Sequence, residues 1–280
     1  MAINLAAKYS TKVAERFSVE SKTDRFAGKD YDFVGVKTIK IWSIDTVPMT
    51  DYSRSGSNRF GNLTELGDTV QELTIAKDRA FTFSIDAGNA SEQFNIKHAN
   101  ACLKRQIDEV ITPEIDAYRL ASWAAGKGLT GSNKVLSATG TVAKNTILPA
   151  IFSANAEMSD NKVPATGRTL FLSERAFVDF KLSDVVMGGS DTLTTENVKR
   201  GYKGTLDGME VVTVPSSYMP SGVNFIIKHK SATVDPMKLK NYRVHKNPMG
   251  VDGDVVEGRV IYDSFVLDTK CKGIFVHKTA

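Results

Sequence analysis

The residues of this chain best placed to do chemistry begin at Gly126-Lys127-Gly128-Leu129-Thr130-Gly131-Ser132-Asn133. A glycine-rich loop carrying a lysine can wrap backbone amides around a phosphate. That chemistry needs Gly-Lys-Ser/Thr, and here Gly128 stands where the hydroxyl residue belongs. The stretch reads instead as the turn that ends a helix. His98, His229, His245 and His277 show neither i, i+4 pairing nor a His-Glu-x-x-His pattern, so they propose no metal-ligand set. No Gly-x-Ser-x-Gly elbow for a nucleophile is present. Asp108 and Glu109 are adjacent in a helical pattern, face different directions and give no acid–base pair. Cys102 and Cys271 have no metal-ligand spacing. They read as buried reduced thiols, able to approach each other only if the C-terminal strands pack on the long helix. The expectation is no catalytic residue, no cofactor and no metal.

Two other clusters point to binding. Residues 228–246 hold Lys228, Lys230, Lys238, Lys240, Arg243 and Lys246 against the single acid Asp235. Such a run can face DNA or an acidic protein, but solvated strand and loop faces are the preferred reading. Arg54, Arg59 and Phe60 sit in a polar segment, where arginine forks and an aromatic suit docking onto a partner.

Composition narrows the class. The chain has 280 residues, is 41% hydrophobic and 24% charged, and carries a formal net charge of +4. It can bury a core, as one large domain or two intimate ones. The charge is too small for a dedicated nucleic-acid binder and permits weak phosphate contact. So few cysteines fit assembly in a reducing compartment. No apolar run is long enough to span a membrane, and the N-terminal residues lack the pattern of a signal peptide.

The elements that must position these residues follow from periodicity. Leu5, Tyr9, Val13 and Phe17 recur every four residues, a helical stripe too short to stand alone. It must pack on this chain or on a neighbour. Residues 33–44 and 70–86 read as strands, the second with Phe81, Phe83 and Ile85 alternating with polar residues. Between them, 45–68 is a long polar connection, which predicts a hairpin whose tip leaves the body and rests on a partner. Residues 91–125 form the longest helical pattern, interrupted at Thr112-Pro113, where a kink or a restart is expected. Its expected inward face is Leu103, Ile107, Val110 and Ile111. A mixed α/β region follows: a helix over 141–158, a buried strand at 170–172, and a short helix capped by Ser173. Residues 200–215 carry Gly201, Gly204 and Gly208 ahead of a buried strand ended by Pro215, and read as two tight turns and a strand. A hairpin over 255–276 is expected to close the chain.

Four stretches resemble tailed-phage major capsid proteins of the HK97-type fold. Lys77-Asp78-Arg79-Ala80-Phe81-Thr82-Phe83-Ser84-Ile85-Asp86 looks like the strand returning from the extended hairpin of that family, the E-loop. Thr112-Pro113-Glu114-Ile115-Asp116-Ala117-Tyr118-Arg119 looks like part of the spine helix, and the glycine-punctuated 200–215 segment is the third. Tyr262-Asp263-Ser264-Phe265-Val266-Leu267-Asp268-Thr269-Lys270, with Gly273-Ile274-Phe275-Val276, resembles the last hairpin.

The resemblance implies an α+β fold divided into an N-terminal arm at 1–32, an extended hairpin with flanking strands at 33–88, and a spine helix of the P-domain at 89–126. It continues with an A-domain at 127–235 and closing strands returning to the P-domain at 236–280. It further implies a self-assembling icosahedral shell of pentamers and hexamers around double-stranded DNA. Portal and separate scaffolding proteins would be partners, in a virion assembled in the host cytoplasm, with no membrane. Arg54, Arg59, Phe60, Leu5, Tyr9 and Phe17 are then the candidate intersubunit contacts. Residues 45–68 contain no lysine, so the lysine–asparagine crosslink of part of the family is not expected to start there. The rival readings are an encapsulin-like compartment and, in a different class, a soluble α/β enzyme or nucleic-acid-binding protein.

Overall fold

The structure is a computed structural model that describes residues 20–31, 37–88, 99–183 and 202–279, with the backbone alone at 202–203 and 238–240. The stripe through Leu5, Tyr9, Val13 and Phe17 lies outside the described residues, as do Val34, Val36, Ser91, Phe94, Ile96 and Gly201.

The expected hairpin is present. β1 (Thr38–Ile44) pairs antiparallel with β2 (Asp68–Thr74) over seven residue pairs, from Thr38–Thr74 to Ile44–Asp68. The reading of 70–86 as one strand is corrected. The chain breaks at Ile75 and Ala76, and β3 (Lys77–Asp86) leaves the hairpin. It pairs instead with β11 (Gly253–Tyr262), which also pairs with β10 (Met237–Lys246). Two features force the break. Ile75 turns inward to join Leu73, Phe265 and Leu267 in one core cluster. The buried Asp263 carboxylate then accepts the Ala76 amide at 2.8 Å.

The long helix runs without a gap as α1 (Ala99–Gln106), a π-turn (Ile107–Ile111) and α2 (Thr112–Ala125). Pro113 lacks an amide to donate back into the helix. The wider π-turn just before it absorbs that loss, so the helix neither breaks nor restarts. The π-turn also rotates the expected apolar face. No residue of Ile107–Ile111 is buried, and Val110 is 45% exposed. The helix packs in three patches: Ala99, Cys102 and Leu103 against Ile85 and Val256, then Ile111, Ile115 and Tyr118 against Val260 and Tyr262, then Leu120 and Trp123 against Phe171 and Ile226. Ile115→Ala should therefore cost about 2–5 kcal/mol in denaturation of unassembled subunits, and Ile107→Ala distinctly less. Equal costs would contradict this division of the helix.

The second body is a six-stranded sheet in the order β4-β13-β8-β5-β7-β6. Its strands are β4 (Leu136–Thr139), β5 (Arg168–Ser173), β6 (Tyr202–Leu206), β7 (Met209–Val214), β8 (Val223–His229) and β13 (Ile274–Lys278). β5 is buried along its whole length, with Leu170 and Leu172 in one core cluster and Phe171 in another. Ser173 ends it and caps α4 (Glu174–Leu182), accepting the Ala176 amide at 3.2 Å. The helix expected over 141–158 begins later, as α3 (Ile147–Asp160), with Ile147, Ile151, Ala154 and Met158 buried and Ala143 in the preceding turn. Only one of the two expected glycine turns is a turn. Asp207 and Gly208, both at positive φ, join β6 to β7, whereas Gly204 lies inside β6 where the register shifts.

The closing hairpin is also corrected. β11 belongs to the three-stranded sheet, and β13 pairs with β8 and β4 in the six-stranded one. The segment between them, through β12 (Phe265–Val266), pairs with β9 (Thr233–Val234). The C-terminal residues therefore tie the two sheets together. Adjacent strands in sequence pair often but not always, and here the buried polar residues Asp263 and Ser264 mark the crossing.

Candidate functional site

The projecting hairpin is the part of the molecule whose chemistry its own fold does not use. Its inner face is anchored. Gln71 Nε2 donates to the carbonyls of Gly128 at 2.8 Å and Val266 at 2.9 Å, Leu73 is buried, and Ile39 and Ile41 pack beside it. The outer face changes character along its length. Near the body it is polar: Thr38 and Thr74 share a hydroxyl hydrogen bond, and Lys40 pairs with Glu72 at 3.8 Å. Further out it is apolar. Trp42, opposite Val70, is 65% exposed, and Ile44 is exposed beyond it. Large apolar side chains in one exposed strip mark an interaction surface.

The tip carries the expected contact residues. Arg54, Arg59 and Phe60 are all exposed, Phe60 to 85%. The loop holds its own shape: the Ser53 amide donates to the Arg59 carbonyl at 3.0 Å, and Arg59 Nε to the Gly56 carbonyl at 3.1 Å. Tyr52 and Phe60 meet edge to face at 5.1 Å. Met49 and Leu63 are also fully exposed, apolar groups that the sequence reading did not single out.

The second site is the segment at residues 20–31, which docks on this same chain. The Asp116 carboxylate, buried on α2, accepts from Ser21 Oγ, the Lys22 amide and Thr23 Oγ1 at 2.6–2.8 Å. Arg119, one turn on, donates to Thr23 Oγ1 and Asp24. Arg25 reaches across to Glu210 on β7 at 3.0 Å. Beneath lies the buried pair Lys228 and Asp235, at 3.6 Å. Lys228 Nζ donates to the Phe26 carbonyl at 2.6 Å and sits 4.0 Å from the centroid of the Trp123 ring. Asp235 accepts from the Gly28 amide, Trp123 Nε1, Thr233 Oγ1 and Ser264 Oγ. Burial pushes the Lys228 ammonium down to about 8, with Asp235 offsetting part of the drop. Burial alone would raise the Asp235 carboxyl, but Lys228, Arg119 and the two hydroxyls together hold it below the usual range.

This corrects the reading of 228–246 as one solvated basic run. Lys228 and Asp235 are core, while Lys230, Arg243 and Lys246 lie on strand and loop faces. The signal available in sequence was the place of Lys228 directly after the continuous apolar run Phe225-Ile226-Ile227, within the same buried strand.

The other candidates resolve as structure. Gly126, at φ 65°, caps α2, and Lys127 then pairs with the buried Asp263 and meets Tyr118 Oη at 2.5 Å. Burial alone would lower the Lys127 ammonium, but Asp263 and Tyr118 outweigh it and hold it up. Cys102 and Cys271 are free and belong to different core clusters. His277 stacks on Phe225 at 4.7 Å, and His229 Nε2 meets the Thr166 carbonyl at 3.0 Å. Among the described residues no group of three His, Cys, Asp or Glu could hold a metal ion, and no helix is long and apolar enough to cross a membrane.

A chain of Mycobacterium phage Che8 superposes with a TM-score of 0.75 at 16% identity, over 98% of this chain and 97% of that one. A chain of the bacteriophage PhiM1 mature capsid superposes at 0.72 and 13%, over 99% and 92%. A chain of the cyanophage P-SCSP1u capsid does so at 0.66 and 12%, over 99% and 93%. This is the fold of phage capsid subunits. The α+β architecture is the HK97-type fold expected from the four sequence stretches, and it spans the whole chain. No family model matches the sequence, and no curated protein matches it. At such low identity the likeness rests on topology, and residue-level roles rest on the geometry above.

Proposed function

We propose that this protein is the major capsid protein of a tailed phage, a shell subunit that assembles with itself into an icosahedral particle around double-stranded DNA. The observation that carries the reading is the hairpin. On a capsid-type fold, a rigid two-stranded ribbon presents apolar and arginine side chains that contribute nothing to its own core. Repeated heterologous contacts of that kind close into rings and shells, and several modest contacts made together give a stable particle. The work is mechanical, with no catalytic step. The division into arm, extended hairpin, spine helix, A-domain and P-domain is part of this proposal, with β13 belonging to the A-domain sheet. So are pentamers and hexamers, portal and scaffolding partners, and residence in the virion after assembly in the host cytoplasm. Arg54, Arg59 and Phe60 are the proposed intersubunit contacts on the hairpin, and Leu5, Tyr9 and Phe17 those on the arm.

Electron microscopy of the purified protein tests the reading, with a scaffolding protein supplied if the chain alone stays unassembled. Closed shells or capsomer rings are expected. A monodisperse monomer under all these conditions would refute it, and shells enclosing protein cargo without DNA would favour the compartment reading. The particles should also fall apart entirely into chains of 30.6 kDa in boiling denaturant. The tip carries no lysine, and Lys40, near the hairpin base, is paired with Glu72. A ladder of multimers resistant to reducing agent would contradict that expectation.

A further inference from the structure

Where the chain crosses between its two sheets, a lysine, a tyrosine and an aspartate close a triangle. Asp263 lies between β11 and β12, and its side chain has no exposure to solvent. Its Oδ1 accepts from Lys127 Nζ, from Tyr118 Oη at 2.8 Å and from the Ser264 amide at 2.8 Å. Its Oδ2 accepts from the Ala76 amide at 2.8 Å. Tyr118 Oη also lies 2.5 Å from Lys127 Nζ, so one hydroxyl touches both charged groups. The rings of Tyr118 and Phe265 flank the ammonium, their centroids at 5.2 and 4.9 Å. The backbone is held as well: the Val266 amide donates to the Lys127 carbonyl at 2.7 Å.

We propose that Lys127 and Asp263 condense within the folded subunit into an amide, a covalent staple inside one chain. The inference concerns the subunit alone and does not depend on the shell reading. The step balances without a co-reactant. The Nζ lone pair forms the bond to Asp263 Cγ, and the bond from Cγ to Oδ1 breaks with its electron pair on Oδ1. Of the three ammonium hydrogens one stays on the new amide, and two leave with Oδ1 as water. Tyr118 carries protons between the two groups: its oxygen accepts one from Nζ while its own goes to Oδ1, and it ends unchanged. The remaining Oδ2 becomes the amide carbonyl, and the Ala76 amide is already aimed at the negative charge that develops on it. The resting state is the ion pair, so the bond forms slowly, from the neutral amine and acid that proton transfer within the triangle produces. Two groups held in contact act at an effective concentration on the order of 10⁵–10⁸ M. That favours a condensation which free amines and carboxylates do not make in water. The other buried pair lacks the relay. Lys228 stands 3.6 Å from Asp235 and donates to the Phe26 carbonyl, and it stays an ion pair. The staple would tie the end of α2 to the crossing between the sheets and, like a disulfide, constrain the unfolded chain. It is one event per chain and not turnover.

The test is the mass of full-length wild-type protein, denatured and intact, followed over time after folding. Chains one water lighter than their sequence should accumulate. Trypsin does not cut at an acylated lysine, so their digest should hold residues 120–134, uncut at Lys127, joined to residues 260–270. Lys127→Arg should keep the mass of its sequence. Tyr118→Phe keeps both reactants and removes the relay, and its water loss should be about a hundredfold slower. Circular dichroism of that variant shows whether it is folded; the wild-type mass needs no variant at all. Wild-type chains that stay at the mass of their sequence would overturn the proposal. So would a loss of water with Lys127 still cut, which places the loss elsewhere, as in a cyclised aspartate. A folded Tyr118→Phe protein that loses water at the wild-type rate would overturn the relay and the step written through it.

Discussion

Replacing residues 46–65 with a short Gly-Asn turn is expected to abolish shell formation while leaving the subunit folded. The second half follows from where the hairpin is held. Its anchoring contacts on the returning strand lie between Gln71 and the base: Gln71 to Gly128 and Val266, Leu73 in the core, Ile75 beside it. Residues 46–65 make hydrogen bonds only within the loop, and none of them joins a core cluster. A two-residue turn with glycine first, of type II′, suits the twist of the two remaining strands. Circular dichroism and the denaturation midpoint of the subunit should therefore barely move. The first half follows from what leaves with the loop: Met49, Tyr52, Phe60 and Leu63, exposed apolar groups in a segment that also carries both arginines. Exposed rings that pack only on each other carry a solubility cost, which a contact in the proposed particle would offset. Electron microscopy and sedimentation of wild-type and shortened protein decide the matter. Wild-type yields of shells from the shortened chain would refute the hairpin contact. Loss of the folded signal would show that the loop holds the body after all.

Much of this architecture is legible in the sequence, and the exceptions share a cause. The hairpin follows from alternation on both sides of a long polar stretch. The cap at Ser173 and the buried β5 follow from residue type alone. What fails is pairing. Phe81, Phe83 and Ile85 announce a strand but do not say that its neighbour is β11, some 170 residues away in the chain. Likewise β11 and β13 look like a hairpin, and only the buried Asp263, which holds the Ala76 amide and Lys127, reveals that the chain changes sheets between them. Local pattern sets the kind of element, while long-range polar contacts set its partner. The same limit explains the π-turn: Pro113 predicts trouble in the helix, yet whether a helix breaks or widens depends on what its two ends pack against. The exposure of Arg54, Arg59 and Phe60 was legible because they sit in a long polar connection that cannot contribute to a core. The triangle of Lys127, Tyr118 and Asp263 was not, since it needs α2 and the crossing after β11 brought together.

Lys228→Met is expected to destabilise the isolated subunit by about 3–5 kcal/mol at neutral pH, the usual result of removing one partner of a buried ion pair. Methionine keeps the side chain except for its terminal nitrogen, so the loss is mainly electrostatic. Asp235 stays buried with its charge facing only the more distant Arg119, and the Phe26 carbonyl loses its donor. Two further readouts separate this from a packing defect. The deficit should shrink in acid, because without Lys228 the Asp235 carboxyl rises and protonation relieves the buried charge. In the wild type the sign runs the other way at high pH. Lys228 is depressed from 10.5 to about 8 in the folded state. Between those values the unfolded chain holds a proton that the folded one has released, so this group's contribution to stability increases with pH across that window. The variant should lack that rise. The arm root should also loosen, since the Phe26 carbonyl and the Gly28 amide are both held by the pair. Trypsin should then cut at Arg25 and Lys29 faster than in wild type. Adding Asp235→Asn should restore only part of the loss. The two carboxylate oxygens each accept two hydrogen bonds, Oδ2 from Gly28 and Thr233 and Oδ1 from Trp123 and Ser264. An amide has one oxygen and leaves half of those donors facing its nitrogen. Full recovery in the double variant, or a Lys228→Met deficit independent of pH, would show that the pair is not what holds the arm root to the body.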